Sequence, residues 1–437
     1  MSKNNSKIQN QPIDTIISPL VKFLHIESAS GIVLLLATIV ALVIANSSFG
    51  SLFHHFWEQI IGIQFGSFTL KMSLHHWIND LLMAIFFFVV GLEVKREMMV
   101  GELNGWEKAS LPIFGAIGGM LAPAAIYLFM QSGQPGATGW GIPMATDIAF
   151  VVGIIAVIGK RIPNGLRVFL LSLAIADDIG AILVIAIGYS GNIDLFSLLY
   201  AAVFIGLFLV SIKAGVRNSV VYIFIAFLVW YFVYKSGIHA TIAGVIIGLL
   251  TPLEPQISEN KLGEVVQNSL GYLRGEGWHS KSHRYGMLKE VEQAARISIS
   301  PLERFETGLH PWVGFFIMPI FALSNAGVAF KISDFSNPIA LAVVAGLVLG
   351  KPIGITLFSL LSVKLGISKL PEGVNWGAII GGGFLAGIGF TMALFIGGLA
   401  LESDLLDVAK VGILGGSFLA AIIGSIVLLF VFPKKAA

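Results

Sequence analysis

Ala174-Ile175-Ala176-Asp177-Asp178-Ile179-Gly180 sets two adjacent carboxylates in the middle of an apolar run from about Leu166 to Tyr189. With Arg167 at its edge and no other charge deeper in, the run is long enough to cross a hydrocarbon core of roughly 30 Å as a helix. The two aspartates then lie near the midplane. An ionised carboxylate there costs at least about 2.5 to 3.5 kcal/mol on insertion scales, so a membrane helix carries one only where it faces a cavity or a partner. Two readings follow. Either the pair is structural and held by a basic residue, or it is a site where a small cation and protons compete for the same oxygens.

Working outward, 56% of the 437 residues are hydrophobic and 12% are charged. That charged fraction is about half of what a soluble domain carries. Apolar runs, most of them of spanning length, recur at about 29 to 47, 77 to 99, 109 to 130, 139 to 159, 166 to 189, 195 to 212, 219 to 234, 238 to 252, 308 to 330, 338 to 363, 376 to 400 and 408 to 432. The expected fold is all-α: a polytopic membrane protein of about twelve transmembrane helices, residues 1–437 forming one transporter domain in contact with membrane lipid. The first run ends at Asn46 without an Ala-x-Ala pattern and reads as a retained span. A net charge of +2 does not call for nucleic acid, and none is expected as a partner. The absence of cysteine excludes disulfides, thiolate metal sites and a Cys nucleophile. No cofactor is expected.

Of the 27 Lys and Arg, 22 fall in segments on one side of the twelve spans, among them Lys3, Lys7, Lys22, Lys95, Arg96, Lys160, Arg161, Lys434 and Lys435. Four fall on the other side, Lys71, Lys235, Lys331 and Lys410, and Lys351 lies inside a span. By the positive-inside rule both termini are cytoplasmic. Phe56 to Ser73 alternates and carries Gly62 and Gly66, which predicts a short β-hairpin within an external loop at 50–76, suited to interaction. The polar stretch 254–304, punctuated by Gly271, Gly275, Gly277 and Gly286, reads as a cytoplasmic insertion with one helix near Lys289 to Arg296.

Two spans are interrupted. Span four reads Gly141-Ile142-Pro143-Met144-Ala145-Thr146-Asp147, and its proline frees a backbone carbonyl that lipid cannot satisfy but a cavity can. Span eleven carries Gly381-Gly382-Gly383 and then Gly387-Ile388-Gly389-Phe390-Thr391. By the loop charges these spans run in opposite directions, as inverted-topology repeats require, and paired interruptions point to a transporter site. The other intramembrane charges are Asp147, Asp80 and Lys351. Adjacent residues on a helix point about 100° apart, so Asp177 and Asp178 should have different partners. Lys351 is the one intramembrane cation available to either, as a structural pair or a proton-coupled one. Sodium takes several oxygen ligands. Asp177, Asp178, Asp147, Thr146 and the carbonyls of broken span four could supply them.

Gly91 to Glu97 (GLEVKRE), Ala145 to Phe150 (ATDIAF), Ala174 to Ala181, Lys235 to Thr241, Leu309 to Val313, Ser324 to Val328, Gly350-Lys351-Pro352 and Gly387 to Met392 together resemble the NhaA-type bacterial sodium/proton antiporters, in order along nearly the whole chain. The paired breaks and the resemblance are not independent observations, since this family is itself an example of that architecture. The resemblance implies twelve helices in two inverted repeats, crossed breaks in spans four and eleven, and a homodimer that uses the external hairpin. It implies a secondary active antiporter rather than an enzyme, exchanging Na⁺ or Li⁺ for H⁺ electrogenically across the bacterial cytoplasmic (inner) membrane, for sodium and pH homeostasis. By position, Asp177 and Asp178 resemble the family's cation and proton carboxylates and the ligands of the transported Na⁺. Thr146 and Asp147 resemble the residues at the helix crossing, Lys351 the lysine paired with the first aspartate, and Asp80 an accessory acid. Glu93, Glu97, His239 and Glu306 resemble a pH-response cluster. Ala176, where a larger aliphatic residue is usual, and the insertion leading to Glu306 are departures that bear on the pH profile.

Rival readings separate on chemistry. Symport of an organic solute would usually need a larger polar cavity. An intramembrane aspartyl protease needs Gly-x-Gly-Asp, and residues 175 to 178 read Ile-Ala-Asp-Asp. A passive channel needs no paired proton-binding acids.

Overall fold

The computed structural model describes residues 27–433 apart from 67, 192, 217–218, 256, 258 and 274–280. The terminal lysines Lys3, Lys7, Lys22, Lys434 and Lys435, and Arg217, Arg274, Gly275 and Gly277, lie outside the described residues. The chain opens with α1 (Glu27–Ala45), which turns through 114° into the short α2 (Gly50–Glu58). The hairpin follows as β1 (Ile60–Phe65) and β2 (Phe68–Ser73), paired antiparallel from Ile60↔Ser73 to Phe65↔Phe68. Gly66 closes its two-residue turn at φ +59°, a left-handed conformation that glycine adopts without strain.

Next come α3 (Leu74–Met99), α4 (Trp106–Met130), α5 (Pro135–Met144), α6 (Ile148–Ile158), α7 (Asn164–Gly188), α8 (Leu195–Lys213), α9 (Ser219–Lys235) and α10 (Thr241–Leu250). After the insertion helices α11 (Glu259–Leu273) and α12 (Lys281–Ser298) the chain returns as α13 (Pro301–Asn325), α14 (Pro338–Lys364), α15 (Trp376–Ala386), α16 (Phe390–Ala400) and α17 (Ser403–Val431). Seven of these helices are long and apolar enough to cross a membrane alone: α3, α4, α7, α8, α13, α14 and α17. The pairs α1 with α2, α5 with α6 and α15 with α16 qualify as bent pairs, and α9 and α10 are shorter apolar helices. Each of the twelve apolar runs coincides with one of these, and the all-α polytopic fold with a small hairpin is what the structure shows.

Spans four and eleven are broken where proline and glycine stand. The tight 3₁₀ helix α5 stops at Met144 and α6 starts at Ile148, bent by 42°. α15 stops at Ala386 and α16 starts at Phe390, bent by 49°. Small residues allow close crossings elsewhere, since without water between helices only contact and polar glue hold them. A Cβ on Gly118 of α4 would lie 2.2 Å from the Gly354 carbonyl of α14, and one on Gly244 of α10 would lie 2.1 Å from the Ala84 carbonyl of α3. Around the breaks lies the apolar core, with the Phe395 ring 5.5 Å from Phe87 and 6.2 Å from Phe321. Among the described residues three π-type turns interrupt long helices, at Trp77–Leu82 of α3, Val313–Ile317 of α13 and Gly346–Gly350 of α14. The first contains Asp80 and the last ends against Lys351, in keeping with the tendency of such turns to mark functional positions.

The insertion holds two helices where the sequence reading expected one. α12 is longer than the expected Lys289 to Arg296, and α11 was not foreseen. Leu262, Val265, Val266 and Leu270 recur at helical spacing in α11, and it packs against α12. Of the glycines that punctuate the stretch, Gly286 lies inside α12.

Candidate functional site

The two breaks meet. The Asp147 backbone N–H donates to the Ile388 carbonyl at 2.7 Å, and the Thr146 hydroxyl donates to the Ala386 carbonyl at 2.7 Å. Backbone groups that a continuous helix would have satisfied internally are thus satisfied across the crossing. Asp147 stands at the N-terminus of α6, where its Oδ1 accepts from the Phe150 N–H at 3.3 Å. Its Oδ2 accepts both the backbone N–H and the hydroxyl of Thr391, in the first turn of α16. One carboxylate therefore caps two helix N-termini that point at each other, where the partial positive charge of both dipoles favours an anion. The opposite ends, Met144 of α5 and Ala386 of α15, present carbonyls, and beside them the Lys351 ammonium donates to the Thr146 hydroxyl at 2.9 Å.

Lys351 also donates to Asp177 Oδ2 at 2.5 Å. Lys351 is 0% exposed, Asp147 1%, and Asp177 and Asp178 3% each, so this is a desolvated cluster. Asp177 Oδ1 is buried without a hydrogen-bond partner among the described residues. Asp178, about 100° further round α7, takes no part in the lysine pair. It lies in the negative field of Asp177, Glu93 and Asp147, opposed by the positive charge of Lys351. This buried cluster thus carries more carboxylates than cations, with one oxygen, Asp177 Oδ1, left unpartnered among the described residues.

The structure brings Thr146, Asp147, Asp177, Asp178 and Lys351 together, with Glu93 bearing on Asp178 electrostatically. It does not bring the remaining residues to that spot. Asp80 faces His239, with Nε2 and Oδ1 3.8 Å apart, near the N-terminal end of α3. Glu97 and Glu306 meet at the other end of α3, both held by Arg96: Glu306 at 2.5 Å and Glu97 at 3.2 Å. Seventeen residues separate Asp80 from Glu97, about 25 Å along a helix. The four residues of the pH-response set therefore occupy three places.

Sequence reasoning passed over Thr391, Arg96 and a network in which His75 Nε2 lies 3.1 Å from Asn325 Oδ1 while the Asn325 amide donates to Asn79 at 3.0 Å. Thr391 had a usable signal, being the polar residue that follows the glycine break of span eleven, as Thr146 and Asp147 follow the proline of span four. Nothing local in the sequence pairs Arg96 with Glu306.

A multi-pass bundle with two broken spans crossing over buried acids and a buried lysine defines a membrane transporter of the discontinuous-helix class. Comparison with known proteins narrows this. The family model described as Na+/H+ antiporter 1 matches residues 21–428. The chain is 52% identical over 424 residues to a Na(+)/H(+) antiporter NhaA of Rhodopirellula baltica, covering 97% of this chain and 96% of that one. It is 49% identical over 425 residues to Na(+)/H(+) antiporter NhaA 1 of Acidiphilium cryptum, covering 97% and 94%. It is 46% identical over 434 residues to Na(+)/H(+) antiporter NhaA 2 of Vibrio vulnificus, covering 99% and 97%. The chain belongs to the NhaA family of sodium/proton antiporters.

Proposed function

We propose that this protein exchanges Na⁺, and Li⁺, for H⁺ across the bacterial cytoplasmic membrane, with both termini in the cytoplasm. The observation that carries the proposal is the buried Lys351–Asp177 pair beside Asp178, in which Asp177 Oδ1 has no hydrogen-bond partner among the described residues. The names of the relatives support the same reading. A buried charge is tolerated only when paired or neutralised. Without the metal ion, Lys351 neutralises Asp177 and a proton neutralises Asp178. An arriving Na⁺ is held by Asp178 and Asp177, with water or carbonyls from the crossing, and it displaces the proton of Asp178 and the hold of Lys351 on Asp177. Protons and cation thus exclude one another at the same oxygens. Antiport follows once the protein alternates which side the site faces, with no separate coupling device. Asp147 has a different part in this scheme. Its oxygens are engaged by donors from α6 and α16, so it holds the crossing together and balances the helix ends.

The finer features belong to the same proposal. The Arg96 bridge between Glu97 and Glu306 and the Asp80–His239 pair are the candidates for pH response, at the two ends of α3. Electrogenic exchange requires that more than one proton leave per cation, and Lys351 is the second carrier in reach. Ile60, Ile61 and Ile63 of β1 are exposed, which suits a hairpin that meets a second copy of the chain. The test is an imposed pH gradient across everted vesicles: added Na⁺ or Li⁺ collapses it in antiport, and symport of an organic solute leaves it intact.

A further inference from the structure

Two neighbouring features lie outside the transport site. The first is a cavity of about 310 Å³ between α3, α8, α9, α10 and α13, walled by Phe88, Tyr222, Phe227, Trp230, Ile247 and Phe305 among others. Its few polar groups are satisfied internally: the Tyr222 hydroxyl donates to the Val216 carbonyl at 2.8 Å and the Thr251 hydroxyl to the Ile247 carbonyl at 2.8 Å. Water filling that volume, on the order of ten molecules, would find almost no hydrogen-bond partner on the wall. On the α9 side the wall runs out into exposed apolar residues, Ile223 at 60% and Phe227 at 38%, so the slot opens where the bilayer lies.

The second feature sits at the junction of α12 and α13, a concavity lined by Lys289, Arg296 and Arg304 with Glu292 the one opposing charge. Arg304 links the two. Its guanidinium lies over the Phe305 ring at 6.0 Å and acts electrostatically on Tyr222, and both of those rings wall the apolar slot. Its Nε is buried with no hydrogen-bond partner among the described residues. The loop charges put this end on the cytoplasmic side.

We propose that the two together form a binding site for one anionic phospholipid of the inner leaflet, its phosphate between Lys289, Arg296 and Arg304 and an acyl chain in the slot behind Phe305. An excess of basic side chains fits a phosphate, a dry slot open to the bilayer fits a hydrocarbon chain, and basic pockets on the cytoplasmic side of membrane helices are suited to such head groups. The insertion supplies Lys289 and Arg296. Its role is then to complete the head-group half of the site, next to α3 and α13, the helices joined by Arg96 and Glu306.

The test is native mass spectrometry and melting of the purified full chain in detergent, titrated with phosphatidylglycerol, phosphatidylethanolamine or glycerol phosphate. Phosphatidylglycerol is expected to bind and raise the melting temperature, and the other two are expected to bind at least tenfold more weakly. The paired change Lys289→Gln with Arg296→Gln should weaken phosphatidylglycerol roughly 10- to 30-fold, from the attraction of two basic side chains for an anionic lipid surface. Ala226→Trp, which fills the slot and leaves the charges, should weaken it about as much. Lys364→Gln with Lys369→Gln, on the same face of the membrane, should change nothing. Equal binding of phosphatidylethanolamine overturns the proposal, as does undiminished affinity in either test variant. Glycerol phosphate binding as tightly as the lipid also overturns it, by showing an anion pocket without a chain site.

Discussion

Replacing Lys351 with alanine tests the centre of the site. The ammonium has two contacts, Asp177 Oδ2 at 2.5 Å and the Thr146 hydroxyl at 2.9 Å, and the residue is 0% exposed. Removing one member of a buried ion pair costs about 3–5 kcal/mol, because the other charge is left in a low dielectric without its counter-charge. At about 2–4 °C per kcal/mol for domains of a few hundred residues, Lys351→Ala should lower the melting temperature by roughly 6–20 °C. The size of that loss alone does not separate the charge from lost packing, so the cycle is closed with Asp177→Asn and the double variant. Each single change strands one charge and the double change strands none. The two losses should then fall short of adding by about 2 kcal/mol or more, at the upper end of coupling energies between contacting residues. The assay is thermal melting of purified protein in detergent, read by the fraction that stays monodisperse on gel filtration, with exchange in everted vesicles measured in parallel. Strictly additive losses, or an unchanged melting temperature in Lys351→Ala, would refute the pairing.

Asp177→Asn and Asp178→Asn should each abolish Na⁺-driven collapse of the pH gradient while the protein still reaches the membrane; normal turnover in either removes that residue from the site. Thr391→Val deletes the hydroxyl that bonds Asp147 and should lower stability by about 1.5–3 kcal/mol, the range for a hydrogen bond to a charged group, with Thr391→Ser restoring it. Equal melting temperatures for Val and Ser at this position would show that the hydroxyl contributes nothing. Gly118→Ala puts a methyl 2.2 Å from the Gly354 carbonyl and should cost about 1–3 kcal/mol by forcing α4 from α14, visible as a lower melting temperature. Arg96→Gln removes a half-exposed arginine from a Glu306 carboxylate that is itself buried, so stability should fall by about 1–3 kcal/mol. The pH dependence of exchange should shift, and an identical profile takes the bridge out of regulation.

Much of the architecture is legible in the chain because its causes are local. A run such as Val168 to Tyr189 is apolar enough to enter a bilayer whatever surrounds it, and Pro143 and the glycines Gly387 and Gly389 weaken a helix where they stand, although Pro112 and Pro123 lie inside the unbroken α4. The bias of Lys and Arg to one set of loops orders the spans, and the cost of bare carboxylates in hydrocarbon singles out Asp177 and Asp178. What local sequence pattern leaves to the tertiary structure is who meets whom. Lys351 and Asp177 are 174 positions apart, a pairing that only the family resemblance implied, and Thr391 and Asp147, which nothing in the sequence paired, are 244 apart. No periodicity in a sequence encodes which of two adjacent aspartates a distant lysine will reach, or that one carboxylate will cap two helices. Nor does it encode that Glu306 will share Arg96 with Glu97 while His239 goes to Asp80. Those partnerships depend on how α3, α7, α13 and α14 cross, and the crossings are set by side-chain shape and small-residue contacts summed over the whole bundle.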